Sequence, residues 1–317
     1  MRDQYGRTIE YLRISVTDFC NLRCRYCMPE EGVRPVHHDD KLTFEELYHI
    51  THLFVENGIK KVRITGGEPI VRRGIEHFIA SLGLLRKIED LTMTTNASLL
   101  TIEKAQRLKA NGLRRVNISL DSLDRETYCR ISRGGDLAAA IGGLRNALKV
   151  GFKVKINVVL LKDINDHEIV DFVELTKRYP IDVRFIEAMP IGPTADFSRE
   201  HYMPAREVLE KVDLTPLAIQ EKSSPARLYT AERAIGRVGL IQPLSCRFCH
   251  ECNRLRITSD GQLKPCLLSD FSVDLKTPLR NGENLQPYVD EALCLKPEKH
   301  HVEEGDGTSL PMHRIGG

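Results

Sequence analysis

The chain has 317 residues, and because 41% of them are hydrophobic it can bury the core of one large domain, with or without a smaller appendage. Its 46 Lys and Arg residues nearly balance 44 Asp and Glu residues, and a net charge of +2 gives no reason to expect nucleic acid or an anionic membrane as a partner. Without a signal-like N-terminus or a run of about eighteen apolar residues, the sequence predicts a cytoplasmic protein.

Short β-branched runs alternate with amphipathic segments as far as about residue 190. The runs predict strands at residues 12–16, 61–65, 91–94, 116–120, 154–161 and 183–186. Helical periodicity lies between them, at residues 43–57, 75–85, 102–111, 137–150 and 167–178. Six strands alternating with helices predict a parallel α/β sheet that curls toward a barrel. Such folds carry their chemistry at the C-terminal ends of the strands.

The amino-acid composition changes after residue 190, where prolines, glycines and turn residues become frequent. We therefore expect two parts, residues 1–190 and residues 191–317. In the second part, Asp260-Gly261 predicts a hairpin turn that returns Cys266 toward Cys249 and Cys252. The polar tail from His300 onward is typical of a disordered terminus.

The nine cysteines favour metal binding over a disulfide framework, since the count is odd, the chain is long and six of them form two tight groups. The first triplet is Cys20, Cys24 and Cys27, spaced C-x3-C-x2-C. Three thiolates on a short loop can hold a 4Fe–4S cluster and leave one iron without a protein ligand. That iron can chelate S-adenosylmethionine (SAM), whose reductive cleavage gives a 5′-deoxyadenosyl radical. A structural zinc site completed by His37 or His38 is the alternative.

The second triplet is Cys249, Cys252 and Cys266, spaced C-x2-C-x13-C. One hypothesis is a second cluster whose open iron holds a substrate, and a zinc ribbon is the alternative. Cys246 adds a further C-x2-C step. It could complete a four-thiolate site and so remove the open iron, and the sequence leaves its role undecided.

Positive charge interrupts the apolar strands at four places, Arg13, Arg63, Lys155 and Arg184. Buried charges require a partner. Carboxylates such as Glu187 could pair with them one by one, but four together favour a polyanionic ligand such as a triphosphate. Arg254 and Arg256 alternate on the predicted strand after Cys252, so both can face that ligand and link it to the second triplet.

These motifs resemble those of a known family over nearly the full length of the chain. The segments that carry the resemblance are YLRISVTDFCNLRCRYCMP, VRITGGEP, TTN, VNISLDSLD, RFIEAMP, FCHECNRLRITSDGQLKPC and the terminal IGG. The first cysteine motif alone is similar to the radical SAM superfamily. The second cysteine block with the terminal double glycine is more specific and resembles the MoaA family, the GTP 3′,8-cyclases of molybdenum-cofactor biosynthesis.

The resemblance implies a partial (β/α)6 barrel of the TIM-like radical SAM type, closed by a C-terminal segment that carries the second 4Fe–4S cluster. It implies that SAM is bound by Tyr26, Gly67, Ser119 and Met189. It implies that GTP is bound by Arg13, Arg63, Thr94, Lys155, Arg254, Leu255 and Arg256. The terminal Gly316 and Gly317, which local texture assigns to a disordered tail, would instead reach into the active site.

The implied reaction starts with abstraction of the ribose 3′-hydrogen of GTP and ends in 3′,8-cyclo-7,8-dihydro-GTP. Implied partners are a reductant such as flavodoxin or ferredoxin and, downstream, cyclic pyranopterin monophosphate synthase. A monomer and a homodimer both stay open. Two other hypotheses remain at this point, another two-cluster radical SAM enzyme that modifies peptides and a zinc-stabilised binding module without redox chemistry.

Overall fold

The computed structural model describes residues 1–32, 37–218, 223–300, 302 and 308–316. Its first part alternates strands and helices as the sequence predicts. The strands are β1 Tyr11–Ser15, β2 Lys61–Thr65, β3 Asp90–Thr95, β4 Arg115–Ser119, β5 Lys153–Leu160 and β6 Ile181–Glu187. The helices are α1 Phe44–Glu56, α2 Ile75–Gly83, α3 Ile102–Ala110, α4 Arg125–Ser132, α5 Leu137–Lys149 and α6 Ile169–Arg178. No helix in the described part of the chain is long and apolar enough to span a membrane.

Among the α-helices described in this part, α4 is the one that the periodicity did not predict. It has eight residues, of which only four are buried, so its apolar stripe is too short to stand out. Its N-terminus is capped by the side chain of Asp124, which accepts a hydrogen bond from the amide of Thr127. At the start of α1, Thr43 and Glu46 form a capping box.

The second part contains shorter elements that the sequence pattern predicted only in part. They are α7 Ala195–Glu200, α8 Val208–Lys211, β7 Thr215–Pro216, β8 Ala226–Thr230, β9 Arg237–Ile241, β10 Arg254–Ile257, β11 Gln262–Lys264, β12 Val273–Asp274, α9 Lys276–Arg280 and α10 Gln286–Cys294. The hairpin of β10 and β11 is the one that the Asp-Gly turn predicts.

All described strands belong to one sheet, in the order β12-β11-β10-β1-β2-β3-β4-β5-β6-β9-β8-β7. The six strands β1 to β6 are parallel neighbours, as predicted. The second part adds one parallel strand at each edge, β10 beside β1 and β9 beside β6. The result is an open partial barrel, so the C-terminal segment extends the sheet and does not close it by hydrogen bonds.

The two faces of the curled sheet differ in polarity, because successive side chains of a strand point to opposite sides. Leu12, Ile14, Val62 and Ile64 face outward into a continuous apolar core with the helices. The inner face carries polar or charged side chains at nearly every alternate position. Arg13 is level with Arg63 on one neighbouring strand and with Arg256 on the other. Hydrophobic burial against the helices therefore stabilises the outer face of the barrel, and the polar side chains of the inner face are available to bind ligands.

Two adjacent glycines in α5 test how tightly this helix packs. A Cβ at Gly143 would lie 2.0 Å from the carbonyl oxygen of Ala97, whereas a Cβ at Gly142 would meet nothing within 4 Å. We expect Gly143→Ala to lower the free energy of unfolding by about 2 kcal/mol through overpacking. Gly142→Ala should raise it by up to about 1 kcal/mol, because alanine favours the helix. Urea denaturation of both variants measures the difference, and equal effects would contradict the packing described here.

Candidate active site

A cavity of about 1000 Å³ runs through the open barrel, and all six cysteines of the two triplets line it. The first triplet follows β1, at the C-terminal end of the parallel strands. Cys249 and Cys252 precede β10, which is parallel to β1, so the second triplet lies at the opposite end. A strand of this length spans roughly 15 Å. The cavity therefore separates two thiol sites by about the length of a nucleotide.

The loop of the first triplet is fixed from outside by α4 and the residue after it. The amides of Arg23 and Arg25 donate to the carbonyls of Ser132 and Ile131 at 3.1 and 2.9 Å. Arg133, which adopts a positive φ of 51°, donates to the carbonyls of Arg23 and Met28. The loop is therefore held by a helix more than a hundred residues away in sequence.

Burial dominates the electrostatics of the first triplet. It raises the pKa of the Cys20 thiol to about 11 and that of Cys27 to about 12, and Cys20 adds to the effect on Cys27. The pKa of Cys24 is raised well above its usual value by burial and by Asp121. None of the nine cysteines forms a disulfide. Three close, unoxidised thiols that cannot ionise unaided suit a metal cluster, which supplies the compensating positive charge.

The glycine pair after β2 lies against this loop. A Cβ at Gly67 would stand 2.3 Å from the carbonyl oxygen of Phe19, one residue before the first cysteine. The amide of Gly67 donates to Thr17 at 2.7 Å. Glycine is needed here because the two loops touch through their backbones.

Glu68 joins the loops that follow β2 and β3. One carboxylate oxygen accepts from the Thr95 hydroxyl at 2.7 Å and the Ile70 amide at 3.1 Å, and the other accepts from the Asn96 amide at 2.7 Å. Burial raises the pKa of Glu68 to about 6. These hydrogen bonds hold the Glu68 carboxylate between the two loops.

Tyr26, Gly67, Ser119 and Met189 all line the cavity near the first triplet. The Tyr26 hydroxyl donates to Asp121 at 2.7 Å, and the other oxygen of Asp121 accepts from the amide of Val159. Burial raises the pKa of Asp121 to about 6. The four predicted SAM contacts are thus gathered around one end of the cavity, although they come from three loops and the end of β4.

The second triplet has a more positive environment. Burial opposes ionisation of Cys252, but Lys296 and Arg254 outweigh it and lower the pKa of this thiol to about 7. Burial raises the pKa of Cys249. The β10–β11 hairpin returns Cys266 to the other two cysteines, as the turn signal predicts. Cys246 lines the same cavity, and its sulfur accepts a hydrogen bond from Arg227 at 2.9 Å.

Three arginines on the inner face between the triplets have no carboxylate partner in the described part of the chain. Arg13, Arg63 and Arg184 line the cavity, and each has a buried Nε atom without a hydrogen-bond partner. None of the three forms an ion pair within the described residues. Glu187, the carboxylate that the sequence offered as a partner, accepts from the amides of Ala205, Leu244 and Ser245. Ordinary ion pairing therefore does not explain these arginines.

Lys155 differs from the three arginines, because its Nζ lies 2.9 Å from Asp182. Burial and then Arg184 lower the pKa of Lys155 to about 8, against the opposing effect of Asp182. The pKa of Arg184 falls to about 9 through burial and the charges of Arg63 and Arg115. The crowding of like charges indicates a site that an anion would stabilise.

The last described residues enter the barrel. The guanidinium of Arg256 donates to the carbonyl oxygen of Gly316 at 2.8 Å, and a Cβ on Gly316 would lie 2.2 Å from the Thr65 hydroxyl. The tail is thus folded in place over residues 308–316, although its polar composition predicted disorder, whereas Gly317 lies outside the described residues.

The other predicted GTP contacts lie on both faces of the sheet. Arg254 and Thr94 line the cavity, but Leu255 is fully buried in the core. Arg254 and Arg256 point into the cavity, so the side chain of Leu255 between them points away from it, and only the Leu255 backbone could reach a ligand.

Sequence reasoning missed several polar residues of the inner face. Tyr11 lines the cavity with a buried hydroxyl that has no partner, and Arg63 and Arg254 lie over its ring. Arg115 pairs with Asp90 at 2.6 Å. Tyr11 and Arg115 each lie at an inward-facing position of their strand, as the predicted cations do. Counting every second residue along each strand could therefore have identified them.

With this geometry in view, the chain can be compared with known proteins. Residues 14–176 match the Radical SAM superfamily, and residues 181–302 match the family Molybdenum Cofactor Synthesis C. The first match covers half of the chain and includes the first triplet, and the second includes Cys249, Cys252 and Cys266. The chain is therefore a member of the radical SAM superfamily.

Similar proteins identify a family within this superfamily. The chain is 46% identical over 322 residues to the GTP 3′,8-cyclase of Alkaliphilus metalliredigens, covering 100% of both chains. It is 48% identical over 318 residues to the GTP 3′,8-cyclase of Peptoclostridium acidaminophilum, covering 99% of this chain and 98% of that protein. The chain belongs to the GTP 3′,8-cyclase family. Its cofactors are accordingly SAM and 4Fe–4S clusters, and neither the peptide-modifying nor the zinc-module hypothesis is favoured.

Solved structures agree on the fold. Streptococcus suis SuiB bound to S-adenosylmethionine superposes with a TM-score of 0.63 at 17% identity, over 90% of this chain and 68% of that one. SuiB bound to its precursor peptide SuiA gives 0.64 at 17% identity, over 90% and 67%. At this identity the likeness concerns architecture, so the peptide substrate of SuiB does not carry over to this chain.

Both thiol sets can hold a 4Fe–4S cluster, because each brings three cysteines to one end of the cavity. Cys20, Cys24 and Cys27 would hold the cluster that binds SAM, and Cys249, Cys252 and Cys266 the other.

Iron content tests the two ligand sets separately. We expect Cys24→Ser and Cys252→Ser each to lose about half of the iron and sulfide after anaerobic purification, because each removes a ligand of one cluster. The exposed Cys129 provides the control, since Cys129→Ser should keep all the iron. Cys246→Ser should keep it as well, and a loss of half there would identify Cys246 as a ligand of the second cluster.

Proposed function

We propose that this chain is a GTP 3′,8-cyclase that converts GTP to (8S)-3′,8-cyclo-7,8-dihydroguanosine 5′-triphosphate, the first step of molybdenum-cofactor biosynthesis. One observation carries the proposal beyond family membership. Arg13, Arg63 and Arg184 face one cavity without carboxylate partners, between two thiol triplets at its opposite ends. A nucleoside triphosphate supplies the missing negative charge and has the length to span the space.

The substrate-binding residues of this proposal are Arg13, Arg63, Thr94, Lys155, Arg254, Leu255 and Arg256. Guanidinium groups bind phosphate oxygens through paired N–H donors, so the arginines would fix the triphosphate. The Thr94 side-chain oxygen is buried without a partner and can serve the ribose or a phosphate. Cys249, Cys252 and Cys266 would hold the second cluster near the guanine base.

Tyr26, Gly67, Ser119 and Met189 would bind SAM beside Cys20, Cys24 and Cys27. When bound, the first cluster and SAM supply a 5′-deoxyadenosyl radical. The protein must then hold the ribose 3′-carbon toward that end of the cavity and exclude other hydrogen donors. The fixed loop of the first triplet and the cations between the triplets provide the two anchors for this alignment.

The tail would complete the enclosure. Arg256 donates to the carbonyl of Gly316, and the Gly316 backbone lies against Thr65 and Ser15 on the inner face. A side chain at this position would collide with Thr65. We propose that Gly316 and Gly317 let the backbone enter the active site and shield the reacting atoms from water.

Residues 1–190 would form the radical-generating unit and residues 191–317 the unit of the second cluster. The electron would come from a reductant such as flavodoxin or ferredoxin. The product would pass to cyclic pyranopterin monophosphate synthase, and the protein would act in the cytoplasm as a monomer or homodimer.

Incubation of the reconstituted enzyme with SAM, dithionite and GTP tests the reaction. Formation of 5′-deoxyadenosine should rise with GTP and be accompanied by the cyclised nucleotide. If ATP or a peptide supported it instead of GTP, the proposed substrate would be wrong.

Arg63→Met and Arg184→Met should each raise the KM for GTP roughly tenfold or more, because each loses a charge-assisted contact. Removing an unpaired buried cation should also raise the apparent melting temperature of the substrate-free protein. Arg233→Met is the matched control, since 89% of that side chain is exposed. Loss of both stability and turnover in the first two variants would indicate a merely structural role.

The lowered pKa of Lys155 predicts a pH dependence of GTP binding. Its pKa is about 8, so the ammonium is present at pH 7 and is lost as the pH rises toward 9. The Kd for GTP, measured without reductant, should therefore increase by up to about tenfold per pH unit above 8. Lys155→Arg keeps its charge over this range and should flatten the profile. An equally steep profile in that variant would exclude Lys155 as the titrating group.

A further inference from the structure

Two distant segments of the chain meet around the second triplet. One is the N-terminal Arg7, and the other is residues 296–300, named the strap here. Arg7 donates to the carbonyls of Cys249 at 2.8 Å, Pro297 at 2.8 Å and Glu298 at 3.0 Å. The backbone amide of His300 donates to the thiol of Cys249. The strap therefore lies directly against the second triplet, and within it only His300 lines the cavity.

Lys296 is the strap residue with the most specific contacts. Its side chain is buried, with 2% of the residue exposed. The Nζ atom donates to the carbonyl of Arg254 at 2.8 Å and to the carbonyl of Pro265 at 2.7 Å. Arg254 lies two residues after Cys252, and Pro265 lies directly before Cys266. One ammonium thus fastens together two segments that carry ligand cysteines.

The third contact of Lys296 is with a ligand itself. Its Nζ lies 3.7 Å from the sulfur of Cys252, within hydrogen-bond distance for sulfur. No carboxylate in the described part of the chain forms an ion pair with Lys296. By contrast, Lys41 near the first triplet pairs with Asp18 at 2.6 Å, and Arg7 pairs with Asp3 at 2.5 Å. A buried ammonium costs several kcal/mol unless an anion balances it, and the Cys252 thiolate is the group placed to do so.

The control within the molecule is Lys264. It is also fully buried and lies two residues before Cys266, but its Nζ has no hydrogen-bond partner. Burial of a lysine near the second triplet is therefore not enough to produce the contacts of Lys296. The position of Lys296, opposite Cys252 and between two carbonyls, distinguishes it.

We propose that Lys296 is a positioning residue of the second cluster, which holds the Cys252 and Cys266 segments in register and keeps a positive charge beside the Cys252 sulfur. Hydrogen bonds and cations close to a ligand sulfur stabilise the additional negative charge of a reduced cluster. Lys296 therefore raises the reduction potential of the second cluster and leaves that of the first unchanged. The inference rests on the proposed function only where GTP is used below to recognise the spectroscopic signal.

The test is a redox titration of the reconstituted holoenzyme with dithionite, followed by electron paramagnetic resonance. SAM should alter the signal of the first cluster, and GTP that of the second. In Lys296→Met, we expect the second cluster to be at least tenfold harder to reduce at a given potential, equivalent to 59 mV for one electron. The SAM-sensitive signal should titrate as in the unmodified protein.

Lys296→Gln separates charge from hydrogen bonding, because its amide can still donate to the carbonyls. We expect it to retain the iron but show the lowered potential. Lys299→Met removes an exposed charge from the same strap and should leave both potentials unchanged. Loss of half of the iron from Lys296→Met, but not from Lys299→Met, would also support the positioning role.

Unchanged potentials in both Lys296 variants, with all the iron retained, would overturn the proposal. A shift of the SAM-sensitive signal alone would overturn it as well. If GTP altered neither signal, the proposed function would fail, but the effect of Lys296 could still be read from the SAM-insensitive signal.

Discussion

Uncompensated positive charge inside the barrel is the constraint on which the rest of this structure depends. Arg63 and Arg184 are buried on the inner face without a carboxylate partner in the described part of the chain. Their burial costs free energy and cannot stabilise the fold without a ligand. Stability must come from the outer face, where Leu12, Val62 and their neighbours pack against the helices. Burial of the apolar outer face therefore offsets the free-energy cost of the cations on the inner face.

The two thiol sites differ in charge in a way that matches their ligands. Asp121 and Glu68 lie near the first triplet, and burial dominates the pKa of its thiols. SAM carries a positive sulfonium, so a site with nearby carboxylates suits it. Lys296 and Arg254 surround the second triplet and lower the pKa of Cys252. An anionic nucleotide suits that end, and this polarity would orient the two molecules in one cavity.

Much of the fold followed from local patterns. The six parallel strands and five of the helices were predictable because their apolar periodicity extends over enough residues. The helix α4 escaped because only four of its residues are buried. The strand β9 was missed for a different reason. It reads as a short apolar run in a turn-rich region, and only its pairing with β6 makes it part of the barrel.

The site was predictable to the extent that its chemistry is local in sequence. The cysteine spacings and the period-two arginines are encoded within a few residues, since a cluster needs nearby thiolates and a strand alternates its faces. The sequence by itself thus determined the two cysteine triplets and the row of strand cations between them. Only the tertiary structure decided that Glu187 does not pair with the arginines, that Gly316 reaches Arg256, and that Lys296 reaches Cys252. These contacts join residues 40 to 60 positions apart, whose proximity depends on how the sheet curls.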